Sequence, residues 1–296
     1  MRSIAITLIL AVATSSARGQ PPANPFAREN LVAWCIVPFD AKKRGPEERV
    51  AMLKELGFRR YAYDWRDEHL PTFDRELTLL KKHGIALEAV WFPANTTGPA
   101  RTILDLLKKH EIKTQLWVML TDPAPGKPQV DKVAAAVKIL DPVVKEAAKI
   151  SCKVGLYNHG SWFGEPENQM AIIDALAAPN VGIVYNLHHG HDHLDRFPAL
   201  LKKMSPHLYA INLNGMVRGG DRIGKKILCI GEGDRDLDLS LLETIRDSGY
   251  RGPIGILGHT QHDVELRLRD NLDGLEWLSL SKTSVAVVRP QYRTAK

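Results

Sequence analysis

Short apolar runs alternate with amphipathic helical patterns eight times along this chain, and this alternation constrains the fold more than any other feature. The apolar runs are hydrophobic on both faces and are separated by helices, which predicts parallel strands buried on both sides. The predicted strands span 31–39, 61–65, 85–92, 114–120, 154–158, 181–186, 208–213 and 254–257. The predicted helices span 46–56, 73–83, 99–110, 131–150, 166–176, 194–204, 239–248 and 264–278.

Eight such units in a chain of 296 residues predict an α/β fold, a (β/α)8 TIM barrel in a single domain over residues 30–280. Pro46 and Pro166 stand where helices should begin, and Gly57 and Gly84 stand where helices should end. A doubly wound open sheet is the alternative. No GxGxxG motif follows the first predicted strand, so the usual dinucleotide-binding signal is absent.

The two ends of the sequence predict segments outside the barrel. Residues 1–17 have the pattern of a signal peptide, with Arg2, an apolar run and the small residues 15–17, and they predict an exported protein. A membrane anchor is the alternative, but the run is shorter than the roughly 20 residues that a spanning helix needs. We expect a linker over 18–29, a basic tail over 281–296, and no membrane association of the mature form.

Charge and cysteine content exclude some classes of partner. The net charge is +6, but no dense block of Lys and Arg is interleaved with aromatic residues, so we predict no nucleic-acid partner. The three cysteines are an odd number and form no CxxC motif. Buried thiols acting as small hydrophobic groups are the simplest interpretation.

Polar residues follow the last four predicted strands, at the end of a barrel where active sites lie. The fifth strand ends in Tyr157-Asn158-His159, the sixth in Asn186-Leu187-His188-His189, the seventh in Asn212-Leu213-Asn214 and the eighth in Leu257-Gly258-His259. Four of the eleven histidines fall within 188–193, where an apolar strand gives way to a loop. We expect these side chains to line a site.

These motifs resemble a known family. "LYNHG" at the fifth strand, "VYNLHHGH" at the sixth, "IGEGDRDLD" before the seventh helix and "SGYRGPIGIL" entering the eighth strand occur in the order of the xylose isomerase-like barrels. That superfamily includes hydroxypyruvate isomerases, ketose 3-epimerases and the endonuclease IV group. The resemblance covers about residues 30–280 and implies a sugar isomerase or epimerase fold.

The resemblance also implies a divalent metal held by Glu, Asp, His and Glu, one from each of the last four strands. The matching positions here are Tyr157, Asn186, Asn212 and Leu257. Tyrosine, amides and leucine are poor ligands for such metals, so the family's metal chemistry is not implied and the cofactor is unknown. His189 and Arg218 match two sugar-contacting positions of the family, which suggests a sugar pocket with altered chemistry.

Alternation along the strands suggests a displaced site. Two residues beyond the replaced positions lie His159, His188, Asn214 and His259, on the same strand faces. The three histidines are either a zinc-type site or direct contacts to sugar hydroxyls. We favour the metal-free interpretation, because histidines from separate strands line pockets more often than they converge on a metal.

Roles follow for individual residues. His159 and Glu232 are the predicted catalytic acid–base pair, with a loop acid as the alternative for Glu232. The predicted substrate-binding residues are Tyr157, Asn158, Trp162, Asn186, His188, His189, Asn212, Asn214, Arg218 and His259. Among the aromatic residues, Trp162 and Phe163 are the preferred pocket candidates. Asp64 and Glu88 are weaker acid–base candidates, since pairing with a neighbouring arginine would explain Asp64 equally well.

The sequence therefore predicts an exported carbohydrate-active barrel, an isomerase, epimerase or lyase whose partner is a small sugar or keto-sugar. The alternative is a non-catalytic sugar-binding barrel that has lost its metal site. Cleavage of DNA in the manner of endonuclease IV is disfavoured, because it needs a multi-metal centre rich in carboxylates and histidines.

Overall fold

The computed structural model describes residues 24–280 and 287–295. The strands, β1 to β8, are Leu31–Trp34, Arg60–Tyr63, Ala86–Phe92, Gln115–Val118, Lys153–Tyr157, Val181–Asn186, Leu208–Leu213 and Ile254–Leu257. The helices, α1 to α8, are Pro46–Glu55, Leu70–Lys82, Pro99–Lys109, Gln129–Lys149, Pro166–Leu176, Phe197–Met204, Arg235–Asp247 and Val264–Leu280. Neighbouring strands pair in parallel, and β8 pairs with β1, so the sheet closes. The predicted (β/α)8 barrel is confirmed, and the open sheet is wrong.

Most element boundaries differ from the predicted ones by a few residues, and three of these differences have a visible structural basis. β1 ends at Trp34 rather than at residue 39, because Cys35 adopts a left-handed backbone conformation with φ +56°. Helix α6 begins at Phe197, after a 3-10 segment over His191–Arg196. Helix α7 begins earlier than predicted, since the Asp234 carboxylate caps it by accepting from the N–H groups of its first turn.

The barrel interior is filled by large rings packed against small residues. The indole of Trp34 meets that of Trp117 edge to face, with ring centroids 4.6 Å apart, and its Nε1 donates to the Tyr157 hydroxyl. Gly155 makes room for this packing, because a Cβ there would lie 2.5 Å from the Val184 side chain and 3.0 Å from Trp117. This layer forms the floor beneath the carboxyl ends of the strands.

The described part of the predicted basic tail packs on the barrel wall. The buried Asp270 carboxylate of α8 accepts hydrogen bonds from the backbone and hydroxyl of Thr294, and the Tyr292 hydroxyl donates to the Ile230 carbonyl. These bonds tie residues 287–295 to α8 and to the loop before α7. The predicted signal peptide, 1–17, lies outside the described residues. None of the described helices combines the length and apolar character needed to cross a membrane.

A histidine cavity at the mouth of the barrel

One cavity opens at the carboxyl ends of the strands, where barrel active sites lie. Its enclosed volume is about 60 Å³, below the range typical of ligand pockets, and it continues into an open mouth. Its walls carry histidines, aromatic rings, one carboxyl, one guanidinium and one thiol. The lining residues are Trp34, Cys35, Phe39, Asp64, Arg66, Trp91, Tyr157, His159, His188, His189 and His259. We call it the histidine cavity.

Four imidazoles from three strand ends meet in the histidine cavity. The ring centroids of His188 and His189, after β6, are 3.8 Å apart, and those of His189 and His159, after β5, are 4.4 Å apart. His259, after β8, lies 6.2 Å from His188 and packs against the Phe39 ring at 3.7 Å. The structure thus brings together His159, His188 and His259, the three histidines of the displaced site predicted from strand alternation.

Burial keeps these imidazoles uncharged. Desolvation, with the neighbouring His159 and Lys226, lowers the pKa of His189 to about 2. Desolvation and the charge of Arg66 lower the pKa of His259 to about 4, and the pKa of buried His188 falls well below its usual value for the same main reason. Neutral imidazoles each offer one hydrogen-bond donor and one acceptor, which suits the hydroxyl groups of a polar, uncharged ligand.

The side of the cavity next to β1 and β2 carries Cys35, Asp64 and Arg66. Asp64 follows β2, and its Oδ1 accepts from the Val37 N–H at 3.1 Å. Burial raises the pKa of this carboxyl to about 6. The neighbouring Cys35 thiol stays protonated because burial raises its pKa well above the ordinary value. Arg66 donates to the carbonyl of Asp64 at 3.0 Å, and its guanidinium lies 5.5 Å from the centre of the Phe39 ring.

The predicted asparagines form a chain of their own instead of lining the cavity. The Asn212 amide donates to Asn186 Oδ1, and the Asn186 amide donates to Asn158 Oδ1 at 2.9 Å. Asn214 donates to the carbonyls of Gly215 and Lys226. These side chains are buried and bonded to one another or to backbone, so they join strands β5, β6 and β7 beneath the cavity. Their predicted substrate contacts are not supported by this geometry.

The positions that hold a metal in the family do not fit one here. Leu257 is apolar, Tyr157 is buried with its hydroxyl accepting from Trp34, and Asn186 and Asn212 are bonded to each other. The space above Gly255 is occupied as well, since a Cβ there would lie 1.8 Å from Asn212 Oδ1. Residues 24–280 and 287–295 include no group of three His, Cys, Asp or Glu side chains placed to hold a metal ion.

Other predicted site residues lie away from the cavity. Glu232 does not join His159: its carboxylate accepts from the Cys229 N–H at 2.7 Å and lies 3.7 Å from the Arg267 guanidinium, so it organises the loop before α7. Arg218 is 60% exposed and pairs with Asp195 on the surface. Trp162 donates to Gln129 at 2.7 Å, and Phe163 is buried in the core outside the barrel.

Sequence reasoning gave too little weight to the first half of the barrel. Cys35 and Phe39 follow β1, Asp64 and Arg66 follow β2, and Trp91 lies at the end of β3. The signal that could have found them is the same one that found the histidines, which is position at a strand's carboxyl end. Glu88, by contrast, pairs with Arg60 at 3.2 Å and does not line the cavity.

The lowered pKa of His189 predicts a measurable loss of stability in acid. The pKa of His189 is lower in the folded protein than in the unfolded chain, where it is about 6.5, so folding disfavours the protonated form. The contribution of His189 to the free energy of unfolding is therefore complete above about pH 6.5 and falls as the pH is lowered. Between about pH 7.5 and pH 5, the wild type should lose up to about 2 kcal/mol relative to His189→Gln. Urea unfolding of both proteins at both pH values measures this. If the difference in the free energy of unfolding between the two proteins is the same at both pH values, His189 is not held neutral in the folded protein.

The fold and the cavity define the class: a TIM barrel with a small polar pocket at the carboxyl ends of its strands. The chain belongs to the xylose isomerase-like TIM barrel family, whose model matches residues 50–279. Among curated proteins, a trans-aconitate 2-methyltransferase from Rhizobium rhizogenes is 26% identical over 186 residues. That alignment covers 62% of this chain and 61% of the methyltransferase, so it spans less than two thirds of either protein.

Solved structures share the barrel at low sequence identity. A 3-keto-D-glucoside 4-epimerase from E. coli is 15% identical, with a TM-score of 0.62 over 85% of this chain and 99% of the epimerase. A D-allulose 3-epimerase from Methylomonas sp., solved with D-allulose, is 15% identical, with a TM-score of 0.62 over 84% and 96%. The zinc-bound IolI protein is 14% identical, with a TM-score of 0.65 over 86% and 100%. Identities this low establish the fold alone.

Proposed function

We propose that the histidine cavity binds a monosaccharide-sized sugar or keto-sugar, and that the protein isomerises or epimerises it by acid–base chemistry. The observation that carries the proposal is the lining of the cavity, in which neutral imidazoles and a carboxyl stand beside aromatic rings. Such groups can bond hydroxyls while the rings cover the apolar faces of a sugar. The family of the chain and the sugar epimerases that share its fold support the same substrate class.

The chemistry does not use the family's metal, because the ligand positions are replaced and Asn186 and Asn212 are bonded to each other. Proton transfer falls to side chains of the cavity itself. His159 lies at the rim, where its pKa is lowered by burial and by Lys226, and it is one candidate for this transfer. A barrel that binds sugar without turnover is the second candidate, favoured by the loss of those ligands.

Binding is tested by calorimetry against a panel of aldoses and ketoses that includes D-allulose, D-fructose and D-xylulose. His189→Ala should weaken binding of the best ligand about tenfold or more, the cost of roughly one hydrogen bond. Arg218→Ala is the matched control, since its guanidinium pairs with Asp195 outside the cavity. Equal affinity of wild type and His189→Ala would place the ligand elsewhere.

Export is a further part of the proposal, and it is supported by the sequence pattern of residues 1–17 alone. We expect processing near Ala17 and recovery of the mature protein outside the cytoplasm. N-terminal sequencing of the protein expressed in its source organism measures this. Full-length protein that begins at Met1 and stays in the cytosol would contradict export, with no consequence for the sugar site.

A further inference from the structure

Two buried polar atoms that line the histidine cavity have no hydrogen-bond partner among residues 24–280 and 287–295, apart from the Cys35 thiol that neighbours Asp64. They are Asp64 Oδ2 and His188 Nδ1, and each residue is 2% exposed. An unsatisfied buried polar group costs roughly 1–3 kcal/mol, so a ligand that bonds either atom removes that cost. Both residues line the histidine cavity.

The two atoms belong to opposite walls. Asp64 directly follows β2 and His188 follows β6, and these strands are four apart in a closed barrel of eight. Their carboxyl ends therefore face each other across the mouth. A small ligand in the cavity lies between a carboxyl on one side and an imidazole on the other.

The surroundings set the protonation of each group. Burial raises the pKa of Asp64 to about 6, so the carboxyl is largely ionised at neutral pH yet is a stronger base than an exposed aspartate. The groups that act on its charge are Arg66 and Arg49. His188 is kept neutral by burial and by His189, His259, Lys226 and His159. A neutral imidazole can still donate its N–H to an oxygen that gains negative charge.

We propose that Asp64 and His188 are the metal-free catalytic pair of this barrel, a base and a hydrogen-bond donor that act on a carbon next to a sugar carbonyl. The inference rests on the proposed function and assigns its catalytic residues. Asp64 Oδ2 removes the proton from that carbon, and His188 donates an N–H hydrogen bond to the carbonyl oxygen.

The step balances without an oxidant or a further reactant. The C–H bond breaks and an O–H bond forms on Asp64, while the C–H electron pair makes a carbon–carbon double bond and the carbonyl pair moves to oxygen. A proton then passes from the neighbouring hydroxyl to that oxygen. Asp64 returns its proton to the former carbonyl carbon as the new carbonyl forms, which converts a ketose to an aldose or the reverse.

The test uses the full-length protein with D-allulose, D-fructose and D-xylulose in D₂O. Proton NMR follows the exchange of carbon-bound hydrogen, and calorimetry measures affinity. Asp64→Asn keeps the oxygen that bonds Val37 and should lower the exchange rate by about 10²–10⁴-fold with little change in affinity. His188→Gln should lower kcat by about 10²–10³-fold and leave KM nearly unchanged.

Matched controls are Asp67→Asn, three residues from Asp64 but exposed, and His83→Gln, exposed after α2. Both should exchange at the wild-type rate. If Asp64→Asn does not fold, as judged by its thermal unfolding, the kcat and KM of His188→Gln decide the proposal.

The outcomes distinguish failure of the proposed sugar site from failure of the Asp64–His188 pair. A wild type that binds none of the three sugars contradicts the proposed function, and the pair with it. A wild type that binds a sugar without exchange overturns the pair and leaves a binding protein. Exchange that persists above a tenth of the wild-type rate in Asp64→Asn overturns the pair and leaves the enzyme, with His159 as the remaining candidate.

Discussion

Replacing Glu76 by leucine is expected to lower the free energy of unfolding by about 3–5 kcal/mol. Glu76, on α2, is fully buried and lies 2.6 Å from the Arg49 guanidinium of α1, which is buried as well. The variant leaves a buried positive charge without its counter-ion, and that uncompensated charge is the main cost. Urea unfolding at neutral pH, with wild type and variant compared at equal m-value, measures the effect.

The same two helices provide the control. Glu47 of α1 and Arg75 of α2 form an ion pair at 2.7 Å, but their side chains are 58% and 56% exposed. Water screens this pair, so Glu47→Leu should leave the urea midpoint of unfolding close to that of the wild type. Removing both buried charges, by Arg49→Met with Glu76→Leu, should recover much of the lost stability. Equal costs for the two single variants would show that burial does not govern these pairs.

Replacing Gly274 by alanine is expected to cost about 3 kcal/mol, although alanine normally stabilises a helix. Gly274 lies inside α8, where the exchange alone would favour folding by about 1 kcal/mol. Here a Cβ would lie 1.8 Å from the carbonyl oxygen of Ile230, which is backbone and cannot turn away. Helix and loop must separate, and overpacking of this kind typically costs 1–3 kcal/mol or more.

The measurement is again urea unfolding, with Gly45→Ala as the control. Gly45 precedes α1, has φ −73° and has no atom within 4 Å of the added Cβ, so its replacement should change stability by less than about 1 kcal/mol. A stabilised Gly274→Ala variant would mean that α8 and the loop before α7 do not pack this closely.

Both positions lie near charges that act on the histidine cavity. Arg49 is one of the charges that lower the pKa of Asp64 against the effect of burial, so loss of its partner Glu76 should also change the surroundings of Asp64. Gly274 lets α8 approach Ile230, in the loop that begins near Lys226, whose charge acts on His159, His188, His189 and His259. Damage at either position should therefore alter ligand binding in the histidine cavity, if the proposed function holds, together with stability.

Hydrophobic periodicity by itself determined the fold class. Apolar runs such as Val181–Asn186, each followed by an amphipathic helix, can be buried on both faces only when the strands are parallel and covered. Eight of them in one chain favour a closed barrel, and strand alternation then placed His159, His188 and His259 at one end. These predictions follow from local patterns that can be read directly from the sequence.

Tertiary structure alone decided which polar side chains face the cavity and which bond to one another. Asn186 and His188 are two residues apart, yet the first is taken up by Asn158 and Asn212 while the second has a free buried nitrogen. Asp64 is a candidate site residue because barrel closure places it opposite the end of β6. Glu232 does not join the cavity, because its carboxylate accepts from the Cys229 N–H and lies near the Arg267 guanidinium. The function of a buried polar group depends on whether a neighbour from another strand bonds to it. Closure of the barrel, rather than sequence spacing, decides which strands become neighbours.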